Sequence, residues 1–338
     1  MSAEGQGEKT ASSAAELADL DRLHWGSIRD WAQLVRLPTV FTLLSNCAAA
    51  TVLAGSVFTP LRGVIPVFLV SIMAYWAGMI LNDVADIDED KQYRPTRPLA
   101  AGRISPTVAG HVAKAMLLLG PATILGVTSI MTAQPLWLGM AFFSAVLLSI
   151  CIWAYNSPLK KTGIGPVLMG ACRGLNILMV GSTLFSLGEE TRFPSALLVF
   201  AAGIAVYIMG VTFYARKEET DSDSQTLVFG LMLEVAGLMV VASLPRWVEA
   251  DDMQWTLDPM RGYPLLIGLI GLTVVNRGIK GISHPVPRKV QLAVKHALLT
   301  LILVDASIVL MWVGPVYAVC VVILLLPALI SALRIRST

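Results

Sequence analysis

Charge is what this sequence has least of. Only 14% of its 338 residues are Asp, Glu, Lys or Arg, where a soluble domain carries about a quarter. With 55% of the residues hydrophobic and a mean hydropathy of +0.70, an ordinary soluble enzyme and a disordered chain are both excluded. The four cysteines (Cys47, Cys151, Cys172, Cys320) form no CxxC pair and all lie in apolar stretches. That excludes a secreted disulfide scaffold and reads as membrane-core packing. The four histidines (His24, His111, His284, His296) show no metal-ligand spacing, so a histidine-based metal site is not expected. Net charge is only +2, too little to indicate nucleic acid as a partner. No stretch alternates with period two, which excludes a β-barrel.

What the sequence does have is apolar runs long enough to span lipid. Ten candidate segments cover 38–57, 62–82, 107–130, 135–154, 164–187, 194–215, 226–245, 262–279, 293–313 and 315–333. Gly314-Pro315 splits the last two, so the count is nine or ten. Backbone hydrogen bonding in lipid requires all of them to be helices. Residues 1–20 are small and polar and lack the features of a signal peptide, so a disordered N-terminal tail is expected. Residues 21–37 mix Trp25 and Trp31 with Arg22, Arg29 and Arg36, as an interfacial amphipathic helix does. The transmembrane domain then occupies 38–338. Loops after the even-numbered segments hold the bases (Lys91, Arg94, Arg97, Arg103, Lys160, Lys161, Arg216, Lys217, Lys280, Arg288, Lys289), whereas the 246–261 loop is acidic. By the positive-inside rule the N-terminus and those basic loops face the cytoplasm. Trp137, Trp247, Trp255 and Trp312 fall near segment ends, as interface anchors do.

The second segment closes on Asn82-Asp83-Val84-Ala85-Asp86-Ile87-Asp88-Glu89-Asp90. Asp83, Asp86 and Asp90 stand at i, i+3 and i+7, one face of a continuing helix. Three like charges there cost energy unless a cation sits among them, and oxygen-only donors suit Mg²⁺. The sixth segment closes on Arg216 to Gln225, where Glu218, Asp221 and Gln225 repeat the same register and Glu219–Asp223 form an i, i+4 pair. Both clusters close even-numbered segments, so they share one membrane face. Two Mg²⁺ ions bridging one diphosphate fit that layout. The bases between them, Arg94-Pro95-Thr96-Arg97 and Lys160-Lys161, offer donors to phosphate oxygens. Asn46, Arg173, Asn176, Glu234, Asn276, Arg277 and Asp305 lie inside apolar segments, where ionisable groups usually face a cavity or a partner. An Arg173 pair with Glu234 or Asp305 is one such possibility.

These motifs resemble those of the UbiA superfamily of intramembrane prenyltransferases. Asn82, Asp83, Asp86 and Asp90 match its NDxxDxxxD, Arg94 to Ser105 its RPxRPLxxGxIS loop, Tyr155 and Lys160 its YxxxxK element, and Arg173-Gly174 its arginine-glycine element. The resemblance implies an all-α integral membrane protein, a bundle of nine or ten transmembrane helices around a lipid-open central cavity. It implies Mg²⁺-dependent transfer of a prenyl group from a polyprenyl diphosphate to an unidentified acceptor, through an allylic carbocation. Asn82, Asp83, Asp86, Asp90, Glu218 and Asp221 would bind metal. Arg94, Arg97, Lys160, Arg173 and Lys217 would hold diphosphate, with Tyr155 near the allylic carbon; Asp83, Asp86, Asp90, Tyr155 and Lys160 form the catalytic set. The second motif departs from the family's KDxxDxxxD: Glu218 replaces the first aspartate and Gln225 the third. Expected partners are the polyprenyl diphosphate, the acceptor and membrane lipid, and the expected location is a bacterial inner membrane. The alternatives are a transporter, or a non-catalytic prenyl-lipid-binding subunit.

Overall fold

The computed structural model describes residues 24–36, 40–56, 58, 61–130, 134–188, 192–216, 223–248 and 255–334. The tail expected over 1–20 lies outside them. Every regular element among the described residues is helical. In chain order these are α1 (Ile28–Leu34), α2 (Phe41–Leu53), α3 (Leu61–Ala85), α4 (Ile87–Tyr93), α5 (Pro106–Ile130), α6 (Pro135–Tyr155), α7 (Gly165–Ser186), α8 (Ser195–Tyr214), α9 (Ser224–Ala242), α10 (Gly262–Ser283), α11 (Pro287–Trp312), α12 (Pro315–Ile323) and α13 (Leu325–Arg334). Short 3-10 turns occupy Pro158–Lys161 and Leu244–Trp247.

Eight of these helices, α3 and α5 to α11, are long and apolar enough to cross a membrane. The other two expected segments are shorter. α2 has 13 residues, about 20 Å at the helical rise. The last segment breaks at Leu324 into α12 and α13, after Gly314 adopts φ 112° to start it.

The chain divides into two compact units, Met1–Leu37 with Trp76–Met116, and Pro38–Tyr75 with Leu117–Thr338. In the first, α1 begins with a reciprocal cap. Ser27 Oγ accepts from the Asp30 amide at 3.3 Å, and Asp30 Oδ2 accepts from the Ser27 amide at 2.9 Å. Arg103 ties α1 to the loop after α4: its Nε donates to Asp30 Oδ1 at 2.6 Å and its Nη2 to Gln33 Oε1 at 3.1 Å. The Ser105 amide donates to His24 O at 2.9 Å. Gly26 makes this approach possible. It sits at φ 63°, and a Cβ there would lie 2.6 Å from Ile104 Cγ1.

In the second unit, α2 is buried all round from Ser45 to Leu53, which marks an interior helix. It packs against α7 and α11, and neighbours pair in sequence from α6 to α11. α8 and α9 approach through glycines. A Cβ on Gly210 would stand 2.6 Å from Glu234 N, and one on Gly237 2.6 Å from Gly203 O. Such small-residue seams let backbones meet where no hydrophobic force drives helices together. Outward faces stay apolar: Leu61, Ile65 and Leu69 on α3, and Leu265, Leu269 and Leu272 on α10, are exposed. Trp137 packs against Phe185 and Phe193, and Trp255 and Tyr263 pack against Trp312.

Candidate functional site

The first acidic motif closes α3 and opens α4. The i to i+4 ladder runs through the break at Asp86, since Asp86 N bonds Asn82 O at 3.0 Å and Asp90 N bonds Asp86 O at 2.8 Å. Asp83 and Asp90 therefore return to one face, and both are buried. Asp86 is half-buried, and Asp88 and Glu89 are exposed.

The cation among these carboxylates is an arginine. Arg97 Nη1 lies 2.7 Å from Asp90 Oδ2 and 3.4 Å from Asp83 Oδ1, bridging the two. Arg36 Nη2 reaches Asp83 Oδ1 at 3.0 Å, and Arg94 Nη1 lies 3.7 Å from Asp90 Oδ1. Asn82 Nδ2 donates to Asp86 Oδ2 at 3.2 Å. Arg97 is aimed by its own loop. The Arg97 amide bonds Arg94 O at 3.1 Å, Ala101 N bonds Arg97 O at 2.8 Å, and Leu99 and Ile104 are buried beneath. Arg36 holds φ 48°, a left-handed conformation costing about 1–2 kcal/mol outside glycine. Its ion pair to a buried carboxylate offsets that cost.

The sequence thus brings Asn82, Asp83, Asp86, Asp90, Arg94 and Arg97 together, and the structure adds Arg36. Among the described residues no three acidic, histidine or cysteine side chains gather as a ready-made metal site. Here the carboxylates of Asp83 and Asp90 meet around Arg97. The donor set nevertheless fits Mg²⁺. All donors are hard oxygens, and a single cationic nitrogen already sits between Asp83 and Asp90. Asn82 and Asp86 stand beside them.

In the second unit, Tyr155 ends α6, and Lys160 follows in the 3-10 turn. Arg173 lies on α7 with its guanidinium turned to α2. Nη1 donates to Asn46 Oδ1 at 3.1 Å and Thr42 O at 3.3 Å, and Nη2 donates to Thr42 Oγ1 at 3.1 Å. Asn46 Nδ2 in turn donates to Asp305 at 2.8 and 2.9 Å, and Ser45 Oγ donates to Asp305 Oδ2 at 2.6 Å. The expected Arg173–acid pairing is thus relayed through Asn46. Lys217, Glu218, Glu219 and Asp221 lie outside the described residues. Asp223 caps α9, accepting from the Thr226 amide at 3.3 Å.

The sequence reading missed Arg36, Thr42 and Ser45. Arg36 had one usable signal, a cation at the end of an interfacial segment just before the first apolar run. The two hydroxyls had none.

A family model described as the UbiA prenyltransferase family matches residues 43–226, more than half of the chain. The chain belongs to the UbiA prenyltransferase family. With eight helices long and apolar enough to cross a membrane among its described residues, it is an integral membrane protein. It is 26% identical over 163 residues to digeranylgeranylglyceryl phosphate synthase of Saccharolobus solfataricus, covering 47% of this chain and 54% of that one. It is 30% identical over 181 residues to the synthase of that name from Ignicoccus hospitalis, covering 52% and 55%. It is 32% identical over 171 residues to 4-hydroxybenzoate octaprenyltransferase of Pseudomonas entomophila, covering 48% and 53%. The chain thus spans about half the length of these curated relatives. A solved structure concerning digeranylgeranylglyceryl phosphate synthase in membranes aligns with TM-score 0.62 at 16% identity, covering 85% of this chain and 99% of that one. A UbiA homologue from Archaeoglobus fulgidus aligns with TM-score 0.52 at 14% identity, covering 80% and 99%. These likenesses show that the fold is shared.

Proposed function

We propose that this protein transfers a prenyl group from a polyprenyl diphosphate to an acceptor within the membrane. The observation that carries the reading is the buried Asp83–Arg97–Asp90 cluster at the end of a membrane-crossing helix, in a chain of this family.

The cluster sets three carboxylates (Asp83, Asp86, Asp90) against three guanidiniums (Arg36, Arg94, Arg97), so its own charge is balanced. A diphosphate adds negative charge that the arginines alone do not cancel. Asn82, Asp83, Asp86 and Asp90 would hold Mg²⁺, which when bound would supply the missing positive charge against the leaving diphosphate. Arg36, Arg94 and Arg97 then turn their forked N–H donors from carboxylate to phosphate oxygens. The C1–O bond of the prenyl chain breaks, and its electron pair leaves with the diphosphate. The acceptor's nucleophilic atom bonds to the allylic cation and then loses its proton. Lys160, Arg173 and Lys217 as further diphosphate contacts, Glu218 and Asp221 as further metal ligands, and Tyr155 near the allylic carbon are assigned on the sequence motifs. A UbiA homologue from Archaeoglobus fulgidus has been solved bound to Cd²⁺, which agrees with a divalent cation here. The basic loops support an orientation with the acidic motifs toward the cytoplasm.

Relatives of two kinds, one named for a glyceryl phosphate product and one for 4-hydroxybenzoate, match at comparable identity. The deciding experiment offers purified protein in lipid nanodiscs geranylgeranyl diphosphate, Mg²⁺ and either a glyceryl phosphate lipid or 4-hydroxybenzoate. The reading expects pyrophosphate release and a prenylated product with one of them, and neither without Mg²⁺. Movement of the diphosphate across liposomes with no product would overturn it in favour of transport.

A further inference from the structure

The α1 helix is too short to hold itself. It has seven residues, where an isolated helix in water needs about 12–15 to be even marginal. Leu34 and Val35 at its C-terminal end are buried, while Trp25, Ile28 and Arg29 stay exposed. With so little apolar burial, its place depends on polar contacts, and these converge on Arg103. Arg103 Nε donates to Asp30 Oδ1 at 2.6 Å, and Nη2 donates to Gln33 Oε1 at 3.1 Å and to Thr96 O at 3.0 Å.

Both sides of that junction lead to the first acidic motif. On the α1 side, the Arg36 amide donates to Gln33 O at 3.2 Å. The residue that Arg103 grips by its side chain therefore also sets the backbone of Arg36, which reaches Asp83 at 3.0 Å. On the loop side, Thr96 directly precedes Arg97, whose guanidinium bridges Asp83 and Asp90. The Arg103 side chain is 40% exposed, and an ion pair so open to water adds little to stability. Its forked donors instead fix a geometry: one guanidinium sets the two arginines that meet at Asp83.

We propose that Asp30 and Arg103 are positioning residues for diphosphate binding, locking α1 to the 94–105 loop so that Arg36 and Arg97 converge on Asp83. The proposal rests on the reading of this protein as a prenyltransferase. Neither residue touches the substrate. Asp30 lies on the α1 side and acts through Arg36; Arg103, bonded also to Thr96 O, acts through both Arg36 and Arg97. Fixing the two donors beforehand keeps binding tight, because a guanidinium free to swing must be ordered at the moment of binding.

The test is calorimetric binding of geranylgeranyl diphosphate with Mg²⁺ to the full-length protein in nanodiscs. Asp30→Asn leaves an acceptor for the Ser27 amide but removes the charge that holds Arg103. It should weaken binding about 10-fold, whereas Arg29→Gln, an exposed cation on the same helix, should change nothing. A purely structural defect would add to the effect of any other substitution. A positioning role would not: with Arg36→Gln already in place, Asp30→Asn should weaken binding further by about 2-fold or less. Arg103→Gln should weaken binding more than Asp30→Asn does, and Arg103→Lys, which keeps a donor for Asp30, should recover part of the loss. Hydrogen exchange should quicken over residues 28–36 in Asp30→Asn and Arg103→Gln while α3 and α5 stay protected, which separates an undocked α1 from an unfolded protein. Full affinity in Asp30→Asn and Arg103→Gln, or equal losses from Asp30→Asn with and without Arg36→Gln, would overturn the proposal and leave the prenyltransferase reading standing. A wild type that does not bind the diphosphate would overturn both.

Discussion

Asp305→Ala removes the acceptor at the centre of the polar network joining α2, α7 and α11. The carboxylate has no exposed surface. It takes hydrogen bonds from Ser45 Oγ at 2.6 Å and Asn46 Nδ2 at 2.8 Å, and Asn46 carries Arg173 on its other side. A hydrogen bond inside a membrane protein averages about 0.6 kcal/mol and reaches about 1.7. Two stranded donors plus the cavity left by the carboxylate place the loss at about 2–4 kcal/mol. Asp305→Asn keeps the volume and one acceptor oxygen, so it should retain more than half of the stability at stake. The assay is reversible unfolding in sodium dodecyl sulfate, followed by tryptophan fluorescence. The opposing effect is the desolvation of a buried charge, which can exceed what its partners contribute. Unchanged or raised stability in Asp305→Ala would show that desolvation wins and that the network does not hold these helices together.

The α1 latch should loosen in acid. Asp30 is held down from 3.8 to about 2, first by the Ser27 side-chain hydrogen bond, then by the Ser27 amide and Arg103. Because its carboxyl is depressed in the folded state, its contribution is present above the unfolded value and is lost as pH falls toward 2. Trp25 and Trp31 fluorescence should change between about pH 4 and 2 and stay flat from 5 to 8; a wild-type curve matching that of Asp30→Asn would refute the assignment. The α8–α9 seam should reject a methyl group: Gly237→Ala meets Gly203 O at 2.6 Å and should cost about 1–3 kcal/mol in the same unfolding assay. Gly126→Ala, with open space around it, should be neutral or stabilising, and equal behaviour of the two would discount the seam.

The helices were legible because lipid demands continuous apolar runs, and eight of them reach spanning length. The short α2 was not, since the apolar run around it extends past the helix on both sides. The break at Leu324 was also hidden, because Leu325 and Leu326 continue the same apolar character. The first acidic motif was legible from its register and from the arginines that follow. Its arrangement was not. Local spacing specifies Asp83 and Asp90 as neighbours, but that Arg97 bridges them and that Arg36 reaches Asp83 from 47 residues away depends on how α1 folds back. Asn46 and Asp305 stood out as polar residues in apolar segments. Ser45 and Thr42 did not, because hydroxyls are ordinary in membrane helices.

The most direct measurement is calorimetric binding of geranylgeranyl diphosphate to the protein in nanodiscs, with and without Mg²⁺, in the wild type and in Asp83→Asn. The wild type should bind tightly only with Mg²⁺. Asp83→Asn should lose about 10- to 100-fold of that affinity, the worth of one charge-assisted contact of about 1.5–3 kcal/mol. Binding that ignores Mg²⁺, or a Mg²⁺ effect that survives Asp83→Asn intact, would contradict a diphosphate held through the first acidic motif.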